Sequence, residues 1–258
     1  MAGKAIVRIS ACSRRNPEWE MFTALTNAQI YAAEREIYSI VDTRVGGSLI
    51  CRERNRAIRD FIKDDHATHL FTIDDDVSLP QDAIVKLVEA QKPIIGGLYR
   101  LKDHKGARLS SRIERPSMWP MIIKAGLVSD AKYVAGGCCM ITKSAAITMA
   151  NAYDESLSYT ENLSQEKTWA LYQPYIHTHK SGFREYLSED WAFCQRASDI
   201  GIQSSIHGGV LCGHWGLHRF DFYYPKKFVD LLGEQFSESD GKITEDDVDP
   251  EVLEEHTI

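Results

Sequence analysis

The chain has 258 residues, 43% of them hydrophobic and 26% charged, with a formal net charge of −7. That length and apolar share are enough for one large α/β domain or two small ones, and they exclude a disordered or collagen-like polymer. No apolar run long enough to span a bilayer occurs, and Met1-Ala2-Gly3-Lys4 leads straight into a strand-like segment, so a soluble, cytoplasmic protein without a membrane partner is expected.

Ile6-Val7 and Ile9 predict a first strand, and Phe22, Leu25 and Tyr31 the stripe of a first helix. Ile37 to Val41 predict a second strand. Ile50, Ala57, Ile58, Phe61 and Ile62 have helical spacing, and Leu70 to Ile73 form the next strand, which ends in Asp74-Asp75-Asp76. Burying one unpaired carboxylate is costly, so three at a strand tip imply a facing cation or a dense set of donors. The plain alternative is a solvated acidic turn, because Ser78, Pro80 and Asp82 supply cap-like residues ahead of the helical Ile84, Leu87 and Val88. Pro93 to Gly97 reads as a short strand. The alternation predicts βα units on an open, mostly parallel sheet flanked by helices, in which ligands gather beyond the carboxyl ends of the strands.

Tyr99 to Arg115 carries Arg100, Lys102, Lys105, Arg108, Arg112 and Arg115 against Asp103 and Glu114, a local charge of +4. A polyanionic partner fits that segment, and so does an ordinary solvated loop. Farther on, Tyr133-Val134-Ala135 and Cys139 to Thr142 predict strands flanking a Gly136-Gly137 turn, and a helix follows from Ser144 to Tyr153. Asp154 to Tyr186 is polar, aromatic and aperiodic, as expected of a long functional loop. Ser188 then caps a helix that opens with Glu189-Asp190, carries the stripe Trp191, Cys194, Ala197 and Ile200, and closes at Gly201.

From Ser237 to Ile258 nine acidic residues face Lys242 alone, a local charge of −8 that leaves about +1 for the remainder. One domain is expected over 1–236, with a donor side of about 1–100 and an acceptor side of about 101–236, followed by an acidic tail over 237–258. The six cysteines, without CxxC spacing, read as buried free thiols.

Asp76, Glu189-Asp190 and His214 each stand at an element boundary. In the first turn of a helix the macrodipole favours the ionised forms of Glu189 and Asp190, which suits a base, although for an isolated Ser-Glu-Asp plain capping is the commoner reason. His214 is flanked by Gly213 and, beyond Trp215, by Gly216. In this order the strand ending in Asp74-Asp75-Asp76, the Gly136-Gly137 turn, the Glu189-Asp190 pair and the late His214 resemble the GT-A fold of nucleotide-sugar glycosyltransferases. Arg52-Glu53-Arg54-Asn55-Arg56-Ala57 is similar to the Arg-Asn segment of family-two-like members. Gly96-Gly97-Leu98-Tyr99-Arg100 and Glu189-Asp190-Trp191-Ala192-Phe193-Cys194 are similar to small enzymes of this type often encoded by bacteriophages. The resemblance spans Ile6 to about Phe222.

The resemblance implies a UDP-sugar or similar donor and a metal site at Asp76 and His214. Oxygen ligands with an added imidazole favour Mn²⁺, with Mg²⁺ the alternative. It further implies nucleoside or phosphate contacts from Arg54 and Asn55, ribose or sugar contacts from Asp74 or Asp75, close backbone approach at Gly136 and Gly137, and proton abstraction by Asp190 beside Glu189. Inverting and retaining chemistry both stay open. The acceptor is expected to be either hydroxymethylated DNA, stacked by Tyr159, Trp169, Tyr172 and Tyr175, or a hydroxyl on a glycan or protein. Competing readings are a two-metal phosphoesterase or nuclease, a sugar-nucleotide pyrophosphorylase, and a non-catalytic carbohydrate-binding protein. The pyrophosphorylase lacks support because Ile9 to Arg15 contains no glycine for a phosphate loop.

Overall fold

A computed structural model describes residues 4–13, 18–45, 47–102, 108–162, 164–216 and 219–220. The acidic tail over 237–258, Asp103 and Lys105 lie outside the described residues. The first five elements are β1 (Ile6–Ser13), α1 (Trp19–Ala33), β2 (Tyr38–Val45), α2 (Ile50–Lys63) and β3 (His69–Asp74). Next come β4 (Val77–Ser78), α3 (Ala83–Glu89), β5 (Ile94–Leu98), α4 (Trp119–Ala125), β6 (Val128–Ala131), β7 (Cys138–Thr142) and α5 (Lys143–Ala152). The remainder comprises α6 (Asp154–Leu157), β8 (Ser158–Thr160), β9 (Lys167–Trp169), β10 (Tyr175–Thr178), β11 (Arg184–Leu187), α7 (Glu189–Asp199), β12 (Ser204–Leu211), β13 (Gly213–Trp215) and β14 (Arg219–Phe220).

Seven strands form the central sheet in the order β2-β1-β3-β7-β5-β12-β6. β2, β1, β3, β5 and β12 run one way, while β7 and β6 are reversed. This is the open, mostly parallel α/β sheet that the alternation of elements predicts. Side chains alternate between its two faces: Leu70 and Ile94 point into one core, Phe71, Ile73 and Ile95 into the other. The first core is closed by Phe61, Ile122, Met149 and Phe193 from α2, α4, α5 and α7, the second by Met21, Leu25, Ile84 and Leu87 from α1 and α3. With both faces covered, the residues of the inner strands β3, β7 and β5 are almost wholly buried, which is why they read as continuous apolar runs, whereas the edge strands β2 and β6 are largely exposed.

Four sequence expectations need correction. The α1 stripe is wrong at one position: Leu25 is buried and Tyr31 packs against the core, but Phe22 is 54% exposed and Met21, Ala28 and Ala32 take the remaining core-facing positions. Tyr133 to Ala135 forms no strand, and makes one bridge from Tyr133 to Arg112. Asp154 to Tyr186 is not one long loop; it folds into α6 and the antiparallel pairs β8–β9 and β10–β11. Ser188 occupies the N-cap of α7, but its hydroxyl serves Asp190 instead of a helix N–H.

All six cysteines are free thiols, five of them buried. Among the described residues no helix is long and apolar enough to cross a membrane.

Candidate functional site

Asp74 closes β3, and Asp75 and Asp76 make the turn into β4. The three carboxylates go to three different partners. Asp74 Oδ1 accepts from Arg54 Nη2 at 2.7 Å, Asp75 Oδ2 accepts from the Ser13 hydroxyl at 2.6 Å, and Asp76 Oδ2 is ion-paired to Lys102. β1, α2 and the segment after β5 thus each supply one donor to the strand tip.

Arg54, buried to 2% exposure, sends its other terminal nitrogen to Glu189 Oε1 at 2.8 Å. Burial works against the guanidinium charge, but Asp74 and Glu189 outweigh it and keep the group protonated. The expected contact of Arg54 with a nucleoside or phosphate is therefore corrected: the side chain lies behind the site, with both ends of its fork engaged by carboxylates. Asn55, 4% exposed, is corrected likewise, because its Oδ1 accepts the Tyr172 backbone N–H at 2.9 Å and so pins the chain there.

The glycine turn is shaped by the same groups. A Cβ at Gly136 would lie 2.4 Å from Arg54 Nη1, and one at Gly137 would lie 2.6 Å from the Tyr99 hydroxyl and 2.7 Å from Asp74 Oδ2. The space that glycine leaves is filled from within by the protein's own charged groups. Gly136 N–H donates to Asp190 Oδ2 at 3.2 Å, and Gly137 N–H donates to the Tyr99 hydroxyl at 3.1 Å. Tyr99, 6% exposed, was not singled out from sequence as a site residue, since an aromatic residue after a strand reads as core. Burial, then Asp74 and Asp190, push its hydroxyl well above the ordinary tyrosine value, so it stays protonated.

Asp190 takes three donors: Ser188 Oγ and the Trp191 N–H on Oδ1, and the Gly136 N–H on Oδ2. A carboxylate has about four acceptor positions, so one is left for a ligand hydroxyl. Glu189 differs: burial and then the Asp190 charge raise its carboxyl, with Arg54 opposing them.

Asp76 and His214 are brought together by a three-stranded sheet, β14-β13-β4, outside the main one. His214 pairs with Val77, and the Trp215 N–H donates to the Asp76 carbonyl at 2.8 Å. His214 Nδ1 lies 2.7 Å from the Arg100 carbonyl, so it must donate there, and in the neutral ring Nε2 keeps the lone pair. Nε2 faces Asp76 Oδ1 at 3.6 Å. Two acceptors so placed call for a cation or a proton between them, and a ring held through its other nitrogen is the usual support of a metal-binding histidine. Burial opposes ionisation of Asp76, but His214, in its doubly protonated form, and Lys102 prevail and hold its carboxyl below the ordinary range. Among the described residues no group of three or more His, Cys, Asp or Glu could hold a metal, so most of a cation's ligands would have to come from substrate or water.

On the β1 and β2 side lies a cavity of about 270 Å³, lined by Cys12, Ser13, Arg44, Ser48, Ile50 and Glu53. Ser13 joins it to the carboxylate cluster through Asp75. Sequence reasoning missed this cavity, because only the folded sheet puts the end of β1 beside the start of α2. The aromatic set also divides: Tyr172 is 1% exposed and stacks on Phe193 at 4.3 Å, and so is not available for stacking on a base. Trp169 donates to Asp154, and Tyr175 lies under Arg196.

No protein-family model and no curated protein matches the chain. Among solved structures it is similar to A197 from STIV at 12% identity and a TM-score of 0.45, covering 82% of this chain and 86% of that one. It is also similar to S. aureus TarS 1-349 at 9% identity and a TM-score of 0.39, covering 78% of this chain and 58% of that one. The inositol-1-phosphate CTP transferase of T. maritima aligns at 11% identity with a TM-score of 0.38, over 91% of this chain and 97% of that one.

Proposed function

We propose that the chain is a glycosyltransferase that moves a sugar from a nucleotide-sugar donor, of UDP type, to an acceptor hydroxyl. Asp76 and His214 would hold a divalent cation, Mn²⁺ or Mg²⁺. The observation that carries this reading is the facing pair Asp76 Oδ1 and His214 Nε2 beyond the carboxyl end of β3. A cation held there supplies positive charge to a departing diphosphate. The chain's own residues have the other roles. The cavity beside Ser13 and Glu53 seats the nucleoside, and Asp75, at its rim, meets ribose or sugar hydroxyls. Asp74 and Arg54 form the floor, while Gly136 and Gly137 keep that floor thin. Asp190, oriented by its three donors, accepts the proton of the attacking hydroxyl.

A glycan or protein hydroxyl fits the acceptor better than hydroxymethylated DNA. Lys102 and Arg112, part of the basic segment that favours DNA, are ion-paired to Asp76 and Glu185, and Tyr172 is buried. A two-metal phosphoesterase needs more protein ligands than the Asp76–His214 pair gives. Incubation with a panel of nucleotide sugars and Mn²⁺ tests the proposal by release of nucleoside diphosphate. Phosphodiester cleavage instead would identify a nuclease, and neither product would leave a non-catalytic sugar binder.

A further inference from the structure

Lys102 approaches the site from the segment after β5, whose backbone is held by the Arg100–Leu109 bridge and by the Leu101 N–H donating to the Arg108 carbonyl at 3.0 Å. Its side chain is one-third exposed, and its ammonium ends on Asp76 Oδ2. Asp76 is thus shared: His214 faces one oxygen and Lys102 holds the other. One carboxylate carries one negative charge, and the ammonium already balances it. A divalent cation seated between Asp76 and His214 would be within a few ångström of that ammonium, where its double charge offsets the attraction of the single carboxylate charge for the lysine. Arg100 cannot swing with the lysine, because its carbonyl accepts from His214 at 2.7 Å. The flexible four-carbon stem of Lys102 can.

We propose that Lys102 and the divalent cation compete for Asp76, so that this lysine sets how tightly the metal is held and moves off the carboxylate when metal binds. The inference rests on the metal site proposed above and gives the lysine a role that site does not require. Once displaced, the ammonium stands beside the cation's open positions, where diphosphate oxygens would collect. Metal binding and diphosphate binding are then linked through one side chain: without diphosphate Lys102 opposes the metal, and with diphosphate it has an alternative partner.

The test is titration of the full chain with Mn²⁺ alone, followed by loss of the free-ion signal in electron paramagnetic resonance, in wild type, Lys102→Gln, Asp76→Asn and the double variant. Melting curves confirm that each variant is folded. Lys102→Gln should bind Mn²⁺ about tenfold tighter or more, the order expected for removing one like charge at close range. Asp76→Asn, alone or with Lys102→Gln, should bind none. Equal affinity in wild type and Lys102→Gln, with binding lost in Asp76→Asn, would overturn the competition while leaving the metal site intact. Binding absent from wild type and Lys102→Gln both with Mn²⁺ alone and with a nucleoside diphosphate added, or undiminished in Asp76→Asn, would overturn the metal site and the competition with it.

Discussion

Arg54 and Glu189, 135 residues apart in the chain, are joined by a 2.8 Å ion pair, and the same guanidinium reaches Asp74 at 2.7 Å. One buried side chain therefore ties the carboxylate-bearing strand tip to the first turn of α7. The two acidic motifs keep their spacing because a cation of fixed fork geometry lies between them.

Removing that cation leaves two carboxylates facing each other in a partly buried site. Arg54→Ala should cost roughly 3–5 kcal/mol of stability, as for breaking other buried ion pairs from one side. Arg54→Lys should recover only part, since an ammonium cannot reach both acids with two parallel nitrogens. Urea denaturation measures both, and a wild-type midpoint in Arg54→Ala would remove the cross-link from the account.

The glycine turn should depend on the same residue. A Cβ at Gly136 collides with Arg54 Nη1, a flexible group pinned at both ends by carboxylates. Gly136→Ala should cost about 1–3 kcal/mol as an overpacking substitution. In an Arg54→Ala background the cost should shrink, and a double-mutant cycle reads that coupling. Additive effects would show that the glycine answers to some other constraint.

Asp64 provides a pH-dependent term away from the site. Partial burial raises its carboxyl, but the Ala67 and His66 N–H groups and Arg8 outweigh this and hold it below the ordinary 3.8. A carboxyl lowered in the folded state stabilises fully above its unfolded value, and the contribution is lost as the pH falls through the folded value. The stability difference between wild type and Asp64→Asn should thus be constant from pH 7 down to about 5 and narrow below pH 4. Denaturation at pH 7 and pH 3 checks it, and a constant difference would contradict the assignment.

The first half of the fold was legible because its helices and strands carry enough periodic apolar residues to be read singly. The whole buried face of α1 was not, since Ala28 and Ala32 make core contacts and give almost no hydrophobic signal beside the exposed Phe22. Asp76 and His214 could be named as candidates, but what joins them could not. β4 and β13 are two and three residues long, too short for any periodicity. Arg54 and Asn55 stood out as a polar pair within an amphipathic helix. Whether such a pair faces a ligand or the interior depends on contacts with Glu189 and Tyr172, each more than a hundred positions away. Tyr99 and Lys102 were hidden because their site contacts, with Gly137 and Asp76, exist only once the chain is folded.

Asp76→Ala and His214→Ala should each abolish Mn²⁺-dependent binding of a nucleoside diphosphate while retaining a cooperative melt, because neither side chain belongs to an apolar core. Calorimetric titration with the diphosphate and Mn²⁺ decides it. Unchanged affinity in both variants would remove the metal assignment.

Asp190→Asn separates binding from chemistry. The amide keeps the shape of the carboxylate and one oxygen for the Gly136 N–H or the Trp191 N–H, so the glycine turn and α7 should hold their places. What is lost is the charge that can accept a proton from the attacking hydroxyl. Donor affinity should therefore stay near wild type while turnover falls by ~10²-fold or more, the usual size for a positioned general base. Burial and Asp190 together raise the neighbouring Glu189, so neutralising Asp190 should also let Glu189 ionise at lower pH. Turnover within a few-fold of wild type would place the base elsewhere or favour a retaining mechanism.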